Sequence, residues 1–261
     1  MEMSKTAAVA WGVVMDALHR KVFYAVLAFT ALLILLVPML PTAEVGVQLD
    51  LAREAALGLT SIMAFVLAVI LGATIIPGEA GRRSIYNTLS RPLRRRQYYV
   101  GKYLGVLVVL AASLAFTYLV VLAFVGARYR VLNPGLAKAF FAIFLEGAVL
   151  ASVAMLVSVY ITPIPGVLLT GLFYVVAHVK GDFLHNAMSN AENSPVLRGL
   201  AGIFYYMLPN LERMNINETV AHGERIFRVG AVELALIFGL AVSFIVIFAA
   251  AGVLLFERKD L

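Results

Sequence analysis

The run LALIFGLAVSFIVIFAAAGVLLF, residues 234–256, decides the fold class of this chain. It contains no charged residue, and it is longer than the roughly 20 apolar residues that cross the hydrocarbon core of a bilayer. Similar uncharged runs recur along the chain. Because lipid cannot satisfy the backbone groups of an open sheet edge, these runs predict an all-α polytopic membrane protein.

Six spans are expected from this pattern. They lie at about residues 22–40, 55–76, 103–126, 139–160, 164–179 and 234–256. Pro77-Gly78 is expected to close the second span. The fifth is short and needs residues from the turn before it, because Pro163 and Pro165 cannot continue a regular helix. No linker or internal repeat divides the chain, so residues 1–261 are predicted to form one transmembrane domain.

The overall composition has the same bias. Hydrophobic residues make up 62% of the chain and charged residues 14%, whereas a soluble domain has roughly 25% charged residues. The net charge is +6, but a chain this apolar more often uses Lys and Arg to set its topology, so no nucleic-acid partner is expected. The absence of cysteine excludes disulfides and thiolate chemistry.

The distribution of cations predicts the orientation. The loop at 78–102 carries seven of them: Arg82, Arg83, Arg91, Arg94, Arg95, Arg96 and Lys102. The loop at 41–54 carries only Arg53. The positive-inside rule therefore places 78–102 in the cytoplasm, together with both termini of a six-span protein in the cell (inner) membrane. Arg128, Arg130 and Lys138, in the loop 127–138, argue mildly the other way.

Two segments outside the spans are also expected to contact the membrane. In residues 6–20, Ala10, Val14 and Leu18 recur at helical spacing, which predicts an interfacial amphipathic helix on the cytoplasmic face. The alternative is an upstream extension of the first span. Within the outer loop 180–230, residues 200–208 are apolar but too few to cross, which predicts a re-entrant or interfacial hairpin.

Motifs of enzymatic chemistry are missing. There is no GxxxxGK[ST] phosphate loop, no HExxH pair and no GxSxG elbow. The four histidines, His19, His178, His185 and His222, do not have the spacing of a zinc site. The chain is therefore not expected to be an enzyme or to hold a metal or cofactor of its own.

The loop PGEAGRRSIYNTLSRPLRRRQYYVGKYLG, residues 77–105, has the pattern of two short helices joined at a corner. Glu79 is expected in the first turn of a helix, where a carboxylate is favourable. Ile85 and Leu89 then share one face with Tyr86 beside them, and Pro92 opens the next helix. An apolar knob with a basic rim suits docking into a groove of another protein. The alternative is a topology signal that binds the headgroups of anionic membrane lipids.

The residues of this loop resemble the permease subunits of ABC exporters of the type-2 family. The resemblance rests on Glu79, Gly81, Leu89, Ser90, Arg91, Pro92, Arg95, Tyr99, Gly101, Lys102, Leu104 and Gly105. The element Leu208-Pro209-Asn210 and the charged tail after residue 256 are similar to that family as well.

The resemblance implies a permease that forms a substrate pathway with a second copy or homologue and works with two cytoplasmic ABC ATPase subunits. ATP and Mg would be bound in the ATPases. Residues 79–89 would be the coupling helix. The residues expected to contact the ATPase are Glu79, Arg82, Arg83, Ile85, Tyr86, Leu89, Arg91, Pro92 and Arg95. The hairpin near residues 200–209 would help to close the outer side of the pathway.

Two carboxylates are candidate pathway or gate residues. Glu146 lies inside the fourth predicted span, and Glu233 lies at the outer start of the sixth. A charge in the membrane is costly and tends to be functional. Either side chain could face the pathway or bind Arg128 or Arg130. The alternatives are an interhelical hydrogen bond for Glu146 and interfacial exposure for Glu233.

Two other functions stay open at this point. A stand-alone ion- or proton-coupled carrier would use Glu146 as its coupling acid, although such carriers usually show broken helices or a repeat. A membrane anchor would recruit a cytoplasmic partner through the arginine-rich loop without moving a solute. The spans do not indicate which substrate is carried.

Overall fold

The computed structural model describes residues 2–19, 21–36, 45–81, 94–130, 135–190, 194–217, 220 and 230–259. Within these ranges the chain is helical and contains no strand. The α-helices are α1 (Glu2–His19), α2 (Lys21–Leu36), α3 (Val45–Gly81), α4 (Arg95–Tyr129), α5 (Gly135–Ser158), α6 (Pro163–Ser189), α7 (Pro195–Met207) and α8 (Ala231–Arg258). A 3-10 turn at Glu212–Met214 follows α7. The predicted all-α class is confirmed.

Four of these helices are long and apolar enough to cross a membrane. The candidate spans are Leu49–Gly78, Arg95–Ala127, Gly135–Ser158 and Ala231–Arg258. The two parts of α6, Pro163–Val179 and Phe183–Ser189, are bent by 60° and make a fifth candidate if they form one span. The predicted first span falls on α2, which has 16 residues. The described ranges therefore contain four or five candidate spans, and the full set of six stays a prediction.

The boundaries of α3 differ from those expected. The predicted loop at 41–54 is helical from Val45 onward, and Arg53 is buried on this helix with Asp50 at 3.5 Å. The candidate span ends at Gly78, as expected, but Pro77 does not break the helix, because α3 continues to Gly81. A proline removes one backbone hydrogen bond and its ring crowds the carbonyl four residues earlier. Membrane helices tolerate this where neighbouring groups satisfy the freed carbonyl.

Contacts between the helices fix their directions. The hydroxyl of Tyr103 donates to the carbonyl of Ala148 at 3.0 Å. Further along α4, the rings of Tyr118 and Phe140 lie 5.1 Å apart, so α4 and α5 are antiparallel. Similar contacts make α6 antiparallel to α3 and α5, and α8 parallel to α5. Consequently α3, α5 and α8 end where α4 and α6 begin. We call this the basic end, because it carries Arg94–Arg96, Arg258 and Lys259.

The centre of the bundle is α5, which is buried along most of its length. Small residues let the neighbouring helices approach it. A Cβ on Gly72 of α3 would lie 2.5 Å from the Cβ of Ala154, and one on Gly147 would lie 2.8 Å from a methyl carbon of Leu110. Within lipid there is no hydrophobic force between helices, so such close packing supplies much of the association energy.

The first helix packs along the beginning of α4. A Cβ on Gly101 would lie 2.8 Å from the Cβ of Val9, and one on Gly105 would lie 2.5 Å from that of Val13. The packed face of α1 is therefore Val9, Val13 and Ala17. The stripe expected from the sequence, Ala10, Val14 and Leu18, is rotated from this face by one residue, and Leu18 is exposed. The position of α1 at a membrane surface stays a prediction.

Candidate functional site

The predicted ATPase-contact residues fall mainly outside the described ranges. This holds for Arg82, Arg83, Ile85, Tyr86, Leu89, Arg91 and Pro92. Glu79 lies in the last turn of α3, so its expected place at the start of a new helix is wrong. Arg95 opens α4. The end of α3 and the start of α4, which lie on either side of residues 82–93, are therefore both at the basic end.

Arg95 contacts the end of α8. Its Nη1 donates to the backbone carbonyl of Glu257 at 3.2 Å and to that of Lys259 at 2.6 Å. The last carbonyls of a helix have no donor within the helix, and a cation there is favoured by the helix dipole. Sequence reasoning assigned Arg95 to a basic flank facing the ATPase, and it did not find this contact with α8.

Lys259 makes a second connection at the same end. Its Nζ donates to the carbonyl of Val159, just after α5, at 2.5 Å, and lies 5.7 Å from the centre of the Tyr160 ring. The Tyr160 hydroxyl in turn donates to the carbonyl of Leu255 at 3.4 Å. The turn between α5 and α6 is therefore bound to the end of α8. Sequence reasoning missed Lys259, since nothing in the local pattern connects it with a residue 100 positions away.

A buried aromatic cluster lies beneath these contacts. The rings of Tyr98 and Tyr99 lie 5.7 and 5.9 Å from that of Phe256, and all three side chains are buried. A Cβ on Gly252 would overlap the Tyr99 hydroxyl, so Gly252 gives this tyrosine its space. The start of α4 and the end of α8 thus form one packed joint.

A second polar site lies inside the bundle. Glu146 is near the middle of α5, eleven residues after Gly135, which is about 16 Å along the helix at 1.5 Å per residue. One of its carboxylate oxygens lies 3.5 Å from Nε2 of His178 on α6. The exposed fractions of the two side chains are 8% and 21%. The structure thus joins Glu146 to a histidine on the neighbouring helix, rather than to Arg128 or Arg130.

Aromatic rings surround this pair. The Tyr174 hydroxyl interacts with the Glu146 carboxylate, and the Tyr174 ring lies 4.3 Å from that of His178. On its other side, Tyr174 lies 4.4 Å from Phe65 of α3. We call Glu146, His178 and Tyr174 the polar centre. It joins α5 to α6 and packs against α3 through Tyr174, and it places an ionisable side chain inside the apolar bundle.

The segment after α7 covers one side of the polar centre. The backbone N–H of Leu211 donates to the carbonyl of Ala177 at 3.3 Å, and Nδ2 of Asn217 donates to Oγ of Ser61 at 2.9 Å. Leu211, Met214 and Ile216 are all buried. Glu212 of this segment also interacts electrostatically with His178. The predicted hairpin near 200–208 falls on α7, and its depth in a membrane stays a prediction.

Two further expectations concern Glu233 and metals. Glu233 lies in the first turn of α8 and is exposed, which fits the interfacial alternative and the preference of carboxylates for helix N-termini. Across the described residues, no group of three or more Asp, Glu or His could hold a metal ion.

These features define a helical membrane protein with several spans, a polar centre among its apolar helices and a packed basic end. The chain matches the family described as ABC-2 family transporter proteins over residues 7–261, and it belongs to that family. It is therefore a permease component of an ABC transporter, the membrane subunit that associates with an ABC ATPase. No curated protein matches the chain.

Proposed function

We propose that this chain is the permease of an ABC exporter and that its coupling helix lies after the end of α3, within residues 82–89. Two ATPase subunits would bind on the cytoplasmic side, where they hold ATP and Mg. Family membership supports the ATPase partner. The proposal of a coupling helix rests on the basic end. Three parts of the chain meet there: the residues on either side of 82–93, the turn between α5 and α6, and the end of α8.

In this proposal the apolar residues of the coupling helix supply the contact and the arginines its rim. Ile85 and Leu89 would enter a groove of the ATPase, with Tyr86 beside them. An apolar core with a charged rim is the usual anatomy of a specific interface. The positive charges favour a cytoplasmic position for this end, together with both termini, because cytoplasmic loops of membrane proteins carry the excess of Lys and Arg.

A second permease, a copy or a homologue, would complete the substrate pathway. The support comes from α8. This helix is apolar, but only 11% of its most apolar stretch is buried within the chain. Lipid or another permease must cover the remainder. Glu146 would act as a pathway or gate residue on the α5–α6 side of this arrangement.

Co-purification from native membranes tests the proposal. The wild-type chain is compared with the double variant Ile85→Asp/Leu89→Asp, and bound proteins are identified. Ser84→Asp/Thr88→Asp is the matched control, since it adds the same charges at the same spacing in the same segment. Wild type and control should bring down an ABC ATPase, and the double variant should not.

Two results would contradict the proposal. Recovery of the ATPase with Ile85→Asp/Leu89→Asp would place the contact elsewhere. Absence of any ATPase from correctly folded wild type would remove the exporter function and favour a lone carrier built around Glu146. A protein partner without ATPase activity would favour a membrane anchor.

A further inference from the structure

We propose that Arg95 and Lys259 are positioning residues that transmit the movement of residues 82–93, which we call the coupling loop, to α5 and α6, rather than contacts of the ATPase. This inference rests on the proposed function. The sequence around Arg95 suggests that this residue contacts the ATPase, and the inference assigns it a different role. It also gives a role to Lys259, which lies far away in the chain.

The first step of the argument is the direction of the Arg95 side chain. Its guanidinium donates to two carbonyls at the end of α8, whereas the neighbouring Arg94 and Arg96 are exposed. Charge-assisted hydrogen bonds are roughly twice as strong as neutral ones. A guanidinium engaged in this way is not the free rim cation that a partner protein would bind, and it fixes the start of α4 to α8.

The second step concerns Lys259, which connects α8 to the turn between α5 and α6. Its ammonium group donates to the carbonyl of Val159 and lies over the Tyr160 ring. That carbonyl is near the end of α5, where acceptors lack helical donors. The hydrogen bonds of Arg95 and Lys259 therefore connect the start of α4 to the end of α8, and the end of α8 to the α5–α6 turn. We call these two connected contacts the strap.

The third step is that the strap lies on a rigid joint. Tyr98, Tyr99 and Phe256 are buried against one another, and Gly252 admits the Tyr99 ring at a distance that no larger residue would allow. Packed elements of this kind shift between discrete arrangements instead of deforming continuously. Elsewhere α8 packs on α5 and α6, where Phe238 lies against Phe141 and Phe248 against Phe173, and this joint is the point at which it is fixed to α4.

The fourth step is the destination of the movement. The α5–α6 turn separates the two helices that carry Glu146 and His178. A displacement of this turn therefore changes the relation between α5 and α6, and with it the 3.5 Å separation across the polar centre. The strap gives a loop at the basic end a physical route to a site in the middle of the bundle.

The experiment measures binding and coupling separately in the permease–ATPase complex. Complexes are reconstituted in phosphatidylethanolamine–phosphatidylglycerol liposomes, and the amount of bound ATPase and its rate of ATP hydrolysis are compared with those of the ATPase alone. The variants are Arg95→Ala, Lys259→Ala and Lys259→Arg. Arg96→Ala and Arg258→Ala are matched controls, because both residues are exposed neighbours at the same end.

Arg95→Ala and Lys259→Ala should bind the ATPase as wild type does, but the permease-dependent change in ATP hydrolysis should fall about fivefold or more, a factor typical of coupling between sites. Lys259→Arg keeps a donor at the end of the side chain and should restore coupling, which a loss of folding could not explain. The two control variants should behave as wild type.

The inference is overturned if either alanine variant keeps full coupling, or if it loses ATPase binding as Ile85→Asp/Leu89→Asp does. Failure of Lys259→Arg to restore coupling would overturn it as well. In those cases the proposed function still stands, since wild type binds the ATPase. A wild-type chain that binds no ATPase would instead refute the proposed function, and the inference with it.

Discussion

Glu146 and His178 are polar side chains that face each other inside an otherwise apolar bundle. A carboxyl group in the middle of an apolar helix has few possible partners. The structure provides two from α6, His178 at 3.5 Å and the hydroxyl of Tyr174. Removing one partner of a buried pair leaves the other without compensation, whereas replacing both by apolar residues is often nearly neutral. The two residues should therefore be coupled energetically.

A double-mutant cycle tests this coupling. His178→Leu should lower the free energy of unfolding by about 1–3 kcal/mol, because it removes a buried polar partner of Glu146 and leaves that carboxyl group with Tyr174 alone. Glu146→Leu/His178→Leu should recover much of this loss. The measurement is thermal unfolding of the purified protein in detergent, with the exposed His185→Leu as the control on the same helix. Strictly additive effects of the two substitutions would show that the pair is not coupled.

Gly252 is a second position where one neighbour, Tyr99, limits the size of the residue. Gly252→Ala should destabilise the protein by about 1–3 kcal/mol, the usual cost of overpacking, because the added methyl group meets the Tyr99 ring. Gly239→Ala on the same helix is the control, since a Cβ there has no atom of the described structure within 4 Å. Equal melting temperatures for the two variants would contradict the tight packing of this joint.

At the scale of elements, the glycines of the sequence GKYLG have a structural purpose. Gly101 and Gly105 are one helical turn apart and admit α1 against α4. Small residues at this spacing are the usual means by which helices approach closely in membranes. The resemblance to a known family included these two glycines, and the structure shows what they contact.

The position of α1 can be followed by labelling a single introduced cysteine, because the chain has no cysteine of its own. In a protein carrying Ala17→Cys, the introduced thiol is buried between the two helices, where Ala17 is 6% exposed. Adding Gly105→Ala should push α1 away and increase the rate at which a maleimide labels this thiol. Gly12→Ala is the control, since a Cβ there contacts nothing within 4 Å. An unchanged rate would mean that Gly105 does not hold α1 in place.

At the scale of the whole molecule, the arrangement of helix ends makes the topology testable. Because the basic end carries three consecutive arginines, Arg94–Arg96, together with Arg258 and Lys259, it should face the cytoplasm. The segment after α6 should face outward, since α6 runs away from that end.

Single-cysteine labelling of intact cells tests this orientation. Ser194→Cys, at an exposed position before α7, should react with a membrane-impermeant maleimide. Ser84→Cys should react only after the membrane is permeabilised. Labelling in the opposite order would invert the proposed topology and place the predicted coupling helix where no cytoplasmic ATPase could reach it.

Much of the fold could be predicted from the sequence, since crossing a membrane depends on the local run of apolar residues. The run 234–256 lies within α8, and Glu146 stands out as the single charged residue within the fourth apolar run. The continuation of α3 through Pro77 could not be predicted, because a proline favours a break locally and its neighbours in the bundle decide whether the helix continues.

The sequence by itself determined that this chain is an all-helical membrane protein of the ABC-2 family, because hydrophobic run length and a compact motif are properties of contiguous residues. Only the tertiary structure decided that Glu146 contacts His178, that Val9 meets Gly101, and that Lys259 holds the end of α5. Each of these contacts depends on how the helices are rotated and displaced relative to one another. That arrangement is set by all their packed surfaces together, and no single segment encodes it.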